Sequence, residues 1–169
     1  KSVLATKENA KIPIVGFTLP WSRSRNYFDR TRFDADLQRI RAFYADRGFP
    51  DARVASFDVK LNDKQDAVDV TLTIDEGAPV QVVAVNLVGF EVLPPGRLAD
   101  LQKRLPLPLG KPRDRQAVVT AHEAAVNELR DHGYPYARVT TTEDDGASGK
   151  EAAVTFTAEP GVLARFGEI

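Results

Sequence analysis

The sequence predicts an α+β fold of tandem β-α-α-β-β units, and two observations carry that prediction. The block Asp46-Arg47-Gly48-Phe49-Pro50-Asp51-Ala52-Arg53-Val54 recurs 85 positions later as Asp131-His132-Gly133-Tyr134-Pro135-Tyr136-Ala137-Arg138-Val139, with six of nine positions identical. Farther on, Val70-Thr71-Leu72-Thr73-Ile74-Asp75-Glu76-Gly77 matches Val154-Thr155-Phe156-Thr157-Ala158-Glu159-Pro160-Gly161 at an offset of 84. The first block follows a helical pattern and the second is an alternating strand, so both copies order helix and sheet alike. The one-residue change of offset falls in the polar stretch between the blocks, where a hairpin loop tolerates a deletion.

Each element has a local cause. Phe33, Leu37, Ile40 and Tyr44 fall on one apolar helical face, which Asp29 or Thr31 would cap and Gly48 would end. The second copy of this helix is expected from about Arg113 to His132. Arg53 to Leu61 reads as a strand, followed by the polar turn Asn62–Asp66. Val68, Val70, Leu72 and Ile74 then alternate with polar residues, predicting a strand with one buried and one wet face; Ala152, Val154, Phe156 and Ala158 repeat the pattern. Between the copies, Val80–Val88 is a β-branched run closed by Gly89. Leu98, Leu101 and Leu105 mark a short helix before the link Pro106–Pro112. Residues 1–79 are expected to hold a unit without its first strand and most of its first helix, residues 80–163 a complete unit, and residues 164–169 the start of another. Units of this size bury only about 60–65% of their unfolded surface, so each core is marginal.

Composition bounds the function classes. With 43% apolar and 28% charged residues the chain is ordinarily globular, which excludes disorder, collagen and coiled coil. The 23 Lys and Arg against 24 Asp and Glu leave a net charge of -1, so no global field draws the chain to nucleic acid. No run of 18 apolar residues spans a bilayer, and the N-terminus lacks a signal-peptide pattern. The absence of cysteine excludes disulfides, thiol catalysis and Cys-ligated zinc. Methionine is absent even at residue 1, and the chain is expected to begin inside a longer translated product.

The helix containing Phe43-Tyr44, the block Gly48-Phe49-Pro50-Asp51-Ala52-Arg53-Val54 and the strand ending Asp75-Glu76-Gly77 together resemble the polypeptide-transport-associated (POTRA) family. Its domains occur in tandem on the periplasmic side of outer-membrane β-barrel assembly factors of the BamA and TamA type. Pro160-Gly161 and Arg165-Phe166-Gly167-Glu168-Ile169 resemble that family's entry into a next unit. The sequence departs from the pattern at Gly16–Arg30, where the link between helices is longer and basic, and at Pro160, where the first copy has Glu76. The resemblance implies a three-stranded mixed sheet per unit, with two helices on one face and the last strand central. It implies a binding module and scaffold, not an enzyme, with no cofactor. The implied partners are unfolded outer-membrane protein segments, periplasmic accessory proteins or lipoproteins, and a C-terminal membrane barrel of the same chain. It implies that clients add along the second strand's open edge by β-augmentation, in which main-chain groups give sequence-tolerant affinity. A dedicated two-partner secretion or translocation pore is the alternative, distinguished by a narrow client range.

On this reading the candidate edges are Arg138, Val139, Thr140, Thr141, Thr142 and Glu143 in the second copy, and Arg53, Val54, Ala55, Ser56 and Phe57 in the first. The apolar phase Ala52, Val54 shifts to Phe57, Val59, Leu61, which predicts a β-bulge between Val54 and Phe57. Such a bulge either re-aims the edge toward a client or protects it from aggregation. The second copy shows no slip and is expected to be the freer edge.

Other motifs fail on chemistry. His122-Glu123 opens like a zinc-protease helix, but position 126 is Val, so the second histidine of that motif is missing. By the repeat, His122 matches Leu37 on the core-facing stripe and His132 matches Arg47 beside a helix-ending glycine. Gly110-Lys111-Pro112 is no phosphate loop, and Gly146-Ala147-Ser148-Gly149 is no nucleophile elbow. Glu143-Asp144-Asp145 lacks the order of a calcium loop and reads as a solvated hairpin tip. No metal-binding residues are expected. The run Trp21–Arg32 holds four arginines and three aromatics, a composition suited to lipid headgroups through Trp21, Arg23 and Arg25, or to packing against a neighbouring domain. If headgroups are the target, replacing Arg23 and Arg25 with Ser weakens cosedimentation with anionic vesicles at low salt severalfold. Unchanged cosedimentation leaves the packing role.

Overall fold

The computed structural model describes residues 30–61, 63 and 68–164. In chain order the elements are α1 (Arg30–Asp46), β1 (Arg53–Leu61), β2 (Val68–Asp75), β3 (Gln81–Val88), α2 (Pro95–Arg104), α3 (Arg115–Asp131), β4 (Arg138–Asp145) and β5 (Glu151–Glu159). They fall into two compact units. One comprises residues up to Ala45 with Ala52–Glu76, the other Asp46–Asp51 with the chain from Gly77 onward. No helix among the described residues is long and apolar enough to cross a membrane.

The second unit holds a mixed three-stranded sheet in the order β3-β5-β4, with β3 parallel and β4 antiparallel to β5. β5 lies between the other two, and its inward positions Ala152, Val154, Phe156 and Ala158 are all buried. Val154, Phe156 and Ala158 join Val82, Phe90, Leu93, Leu101, Val118, Ala121, Ala125 and Leu129 in one core built from both helices and one sheet face. Phe90 and Phe156 are fully buried, a gain of about 1.5–3 kcal/mol each. α3 starts where Asp114 accepts hydrogen bonds from Gln116 N at 2.8 Å and Ala117 N at 3.3 Å, capping two otherwise unpaired donors. At its other end His132 Nδ1 lies 2.7 Å from the Glu128 carbonyl. A carbonyl only accepts, so Nδ1 carries the proton and closes the helix. Glu128 itself is buried and ion-paired to Arg104 Nη2 at 2.6 Å. The α+β expectation and the mixed three-stranded sheet thus hold.

In the first unit β1 and β2 pair antiparallel, and Phe33 of α1 meets Phe57 edge-on at 5.2 Å between ring centroids. The register slips between Val54 and Ser56, which puts the expected bulge at Ala55. Three expectations need correction. Thr31 lies inside α1 and does not cap it, and Asp29 is outside the described residues. The buried stripe of α1 is Phe33, Asp36 and Ile40, with Leu37 and Tyr44 only half-buried, because the inward direction runs through the i+3 position. The apolar face of the hairpin is partly open: Leu61 is 64% and Phe57 50% exposed, and Val70 is exposed too. A single described helix, touching this face through Phe33, is too little to cover two strands. In the turn Asn62–Asp66, only Asp63 lies within the described residues.

Gly89 ends β3 with φ at +81°, and a Cβ there would sit 2.3 Å from the Ala158 carbonyl oxygen. Gly149 also has positive φ, +62°, but nothing lies within 4 Å of an added methyl. Gly149→Ala is therefore expected to cost about 1–2 kcal/mol, and Gly89→Ala upward of about 3 kcal/mol, because clash adds to strain. Urea midpoints at unchanged m-value check the difference.

Candidate functional site

All six second-copy candidates, Arg138, Val139, Thr140, Thr141, Thr142 and Glu143, lie on β4, an outer strand of its sheet. The ladder with β5 runs without interruption from Arg138↔Glu159 to Asp145↔Ala152. β4 is thus held straight on its inner side, while no described strand pairs with its outer side. The strand alternates: Val139 and Thr141 are half-buried toward the helices, whereas Arg138, Thr140 and Thr142 are exposed.

An open groove of about 610 Å³ runs beside this edge, lined by His122, Glu123, Val126, Asn127 and Arg130 of α3 and by Ala137, Arg138, Val139 and Thr140. α3 forms its far wall because Ala121 and Ala125 put the small side of the helix against the sheet, leaving the next residues at its mouth. His122 Nδ1 and Thr141 Oγ1 share a 3.0 Å hydrogen bond that ties α3 to β4. His122 is therefore half-buried at the rim, not on the core stripe, because the inward positions are Val118, Ala121, Ala125 and Leu129. The lining mixes apolar Val126, Ala137 and Val139 with polar residues, among them Glu123 and Arg130 of opposite charge.

The far end of the edge is pinned. Arg113 Nη1 donates to Glu143 Oε2 at 2.6 Å and to Asp145 Oδ1 at 3.2 Å, so one guanidinium holds two carboxylates that would otherwise repel. Glu143, Asp144 and Asp145, expected at a solvated hairpin tip, instead close β4 in register with β5, and Glu143 and Asp145 are engaged in this bridge.

The first-copy candidates Arg53, Val54, Ala55, Ser56 and Phe57 lie on β1, around the bulge. Arg53 Nη2 pairs with Asp75 Oδ2 at 2.8 Å. Lys60 lies 2.6 Å from Asp58, whose hydrogen bond first and charge second raise the lysine pKa. This edge is kinked and charged where β4 is straight. Trp21, Arg23 and Arg25 lie outside the described residues. The groove residues of α3 were missed because their role depends on β4 lying beside them; the signal available was their spacing at i, i+1, i+4 and i+5 on the helix.

Residues 1–77 match the POTRA family model, described as a surface antigen variable number repeat. The outer membrane protein assembly factor BamA of Neisseria meningitidis serogroup B is 25% identical over 141 residues, covering 83% of this chain. The chain spans only 17% of that relative's length. Among solved structures, BamA POTRA3-5 of Haemophilus influenzae is similar at 27% identity and a TM-score of 0.46, over 82% of this chain and 54% of that one. POTRA1-2 of the periplasmic domain of Omp85 from Anabaena is similar at 18% identity and a TM-score of 0.40, over 81% of this chain and 76% of that one. The resemblance read in the sequence is upheld.

Partly exposed ion pairs contribute about 0.5–1 kcal/mol. Arg113→Ala is accordingly expected to speed amide exchange at Asp144–Gly146 by up to about fivefold while leaving Arg138–Thr140 unchanged. Uniform acceleration along β4 would mean that Arg113 supports the whole unit and not its tip.

Proposed function

We propose, given that this chain carries POTRA-type repeats similar to those of BamA, that it is a periplasmic client-binding and scaffold segment of an outer-membrane protein assembly factor. It binds unfolded β-strand segments, and docks accessory proteins, as a binding module without catalytic chemistry. The observation that carries this reading is the straight, open outer edge of β4 alongside the α3 groove. An extended client segment pairs its main chain with β4, and alternate side chains enter the groove while the others face solvent. Main-chain pairing recognises any strand, and a groove mixing Val126 and Val139 with Asn127, Glu123 and Arg130 adds only modest preference. Such tolerance suits a module that handles many clients.

The first-copy edge is the weaker acceptor on this reading, since the bulge at Ala55 breaks the row of groups a client would pair with. We take residues 80–163 as the complete unit and residues 1–79 as one lacking its first strand and most of its first helix.

The test is an NMR titration with aromatic-rich extended peptides. Amides of Arg138–Glu143 are expected to shift more than those of β5, with a smaller response at Arg53–Val59. Asn127→Arg, which fills the groove from an exposed position, is expected to weaken binding about tenfold, or about 1.4 kcal/mol. Shifts confined to the helices, or none at millimolar peptide, would sink the reading.

A further inference from the structure

We infer that the open half of β3, Ala84–Val88, is a second strand-accepting edge that takes a short, uncharged extended segment. The inference rests on the proposed function and adds to it a surface of different chemistry. The outer side of β3 already pairs along its first half. Val82 N donates to Lys111 O at 2.9 Å, Gly110 N donates to Val82 O at 2.8 Å, and Arg113 N donates to Val80 O at 2.8 Å. An antiparallel bridge joins Gln81 and Pro112. The outward main-chain groups of this strand are thus disposed to hold an antiparallel partner. Beyond Val82 the register with β5 slips, leaving Val83 as the extra residue, and no described strand pairs with the outer side of Ala84–Val88. The open stretch is bounded by Gly110 and Lys111 at one end and by Gly89 at the other, where positive φ turns the chain away. Five residues at about 3.3 Å each give a footprint of about 16–17 Å.

Side-chain chemistry selects the occupant. From Val80 to Phe90 no residue is charged, whereas β4 carries Arg138, Glu143, Asp144 and Asp145. Edge strands are ordinarily guarded by charge, proline or a covering segment. β3 has a cover on its first half and only a bulge after it. Val83 and Val88 are 46% and 47% exposed, and Asn86 between them is exposed as well. A charged incoming strand would set its ionic groups beside these valines without a partner; an uncharged segment of β-branched or aromatic residues would cover them. The occupant is therefore an uncharged extended polypeptide segment, too short to fill β4.

The experiment titrates the 15N-labelled chain with a blocked Thr-Val-Thr-Val-Thr-Val-Thr peptide and with one carrying Lys and Glu at the Val positions. The proteins compared are the native chain, Val83→Lys/Val88→Lys and Val83→Thr/Val88→Thr. The uncharged peptide is expected to shift Ala84–Val88 in the native chain and the Thr variant, at least fivefold more weakly in the Lys variant, with the β4 response kept in all three. Equal loss in the Thr and Lys variants, or an equal response to the charged peptide, overturns the charge argument and with it the proposal. Shifts confined to Arg138–Glu143 overturn this second edge and leave the proposed function standing, whereas no shift at either edge overturns both. A concentration-dependent dimer that only the Lys variant abolishes would assign the edge to a second copy, which also overturns the proposal.

Discussion

The second unit depends on one strand. β5 pairs on both sides, parallel with β3 and antiparallel with β4, and at the same time buries every second side chain. Its backbone is thereby satisfied without water, and Val154 and Phe156 anchor the core to which both helices contribute. Because β5 occupies the centre, β3 and β4 must be edges, each with one satisfied and one outward row of main-chain groups. The two open edges are thus a by-product of how the core closes. The close passage of Gly89 over the Ala158 carbonyl belongs to the same constraint, since only a residue without Cβ lets β3 leave the sheet so near to β5.

The two edges manage their outward groups in opposite ways. β4 is unbroken and polar, fixed at its tip by the Arg113 bridge and along its middle by His122 and Thr141. β3 is uncharged, bulged at Val83 and covered over its first half by residues 110–113. β1, with its bulge at Ala55 and its Arg53–Asp75 and Lys60–Asp58 pairs, combines both devices. A bulge and a charge each lower the stickiness of an edge, so their distribution grades the edges rather than leaving all equally open.

The two copies also solve helix packing differently. Aligned at the 85-residue offset, Phe33, Asp36 and Ile40 of α1 match Val118, Ala121 and Ala125 of α3. Where α3 presents a methyl group, α1 buries a carboxylate ion-paired to Arg39 one turn along the helix. A buried carboxylate is tolerable only when paired.

The repeat, the order of elements, the strict alternation of β5 and the Ala55 bulge are all legible in the sequence, because each is written in local periodicity or in self-similarity. The same phase slip was there to be read in Val82-Val83 followed by Val85 and Leu87, yet within a continuous valine run it does not stand out until β5 supplies the register. Tertiary packing, by contrast, settles which face of each helix turns inward, moving His122 from the core stripe to the groove rim and Asp36 onto the buried one. Packing also makes β5 the central strand and so leaves the outer sides of β3 and β4 as edges. Helical spacing fixes relative angles but not the inward direction, and strand alternation fixes faces but not neighbours; both are settled only when separate segments compete for the same core.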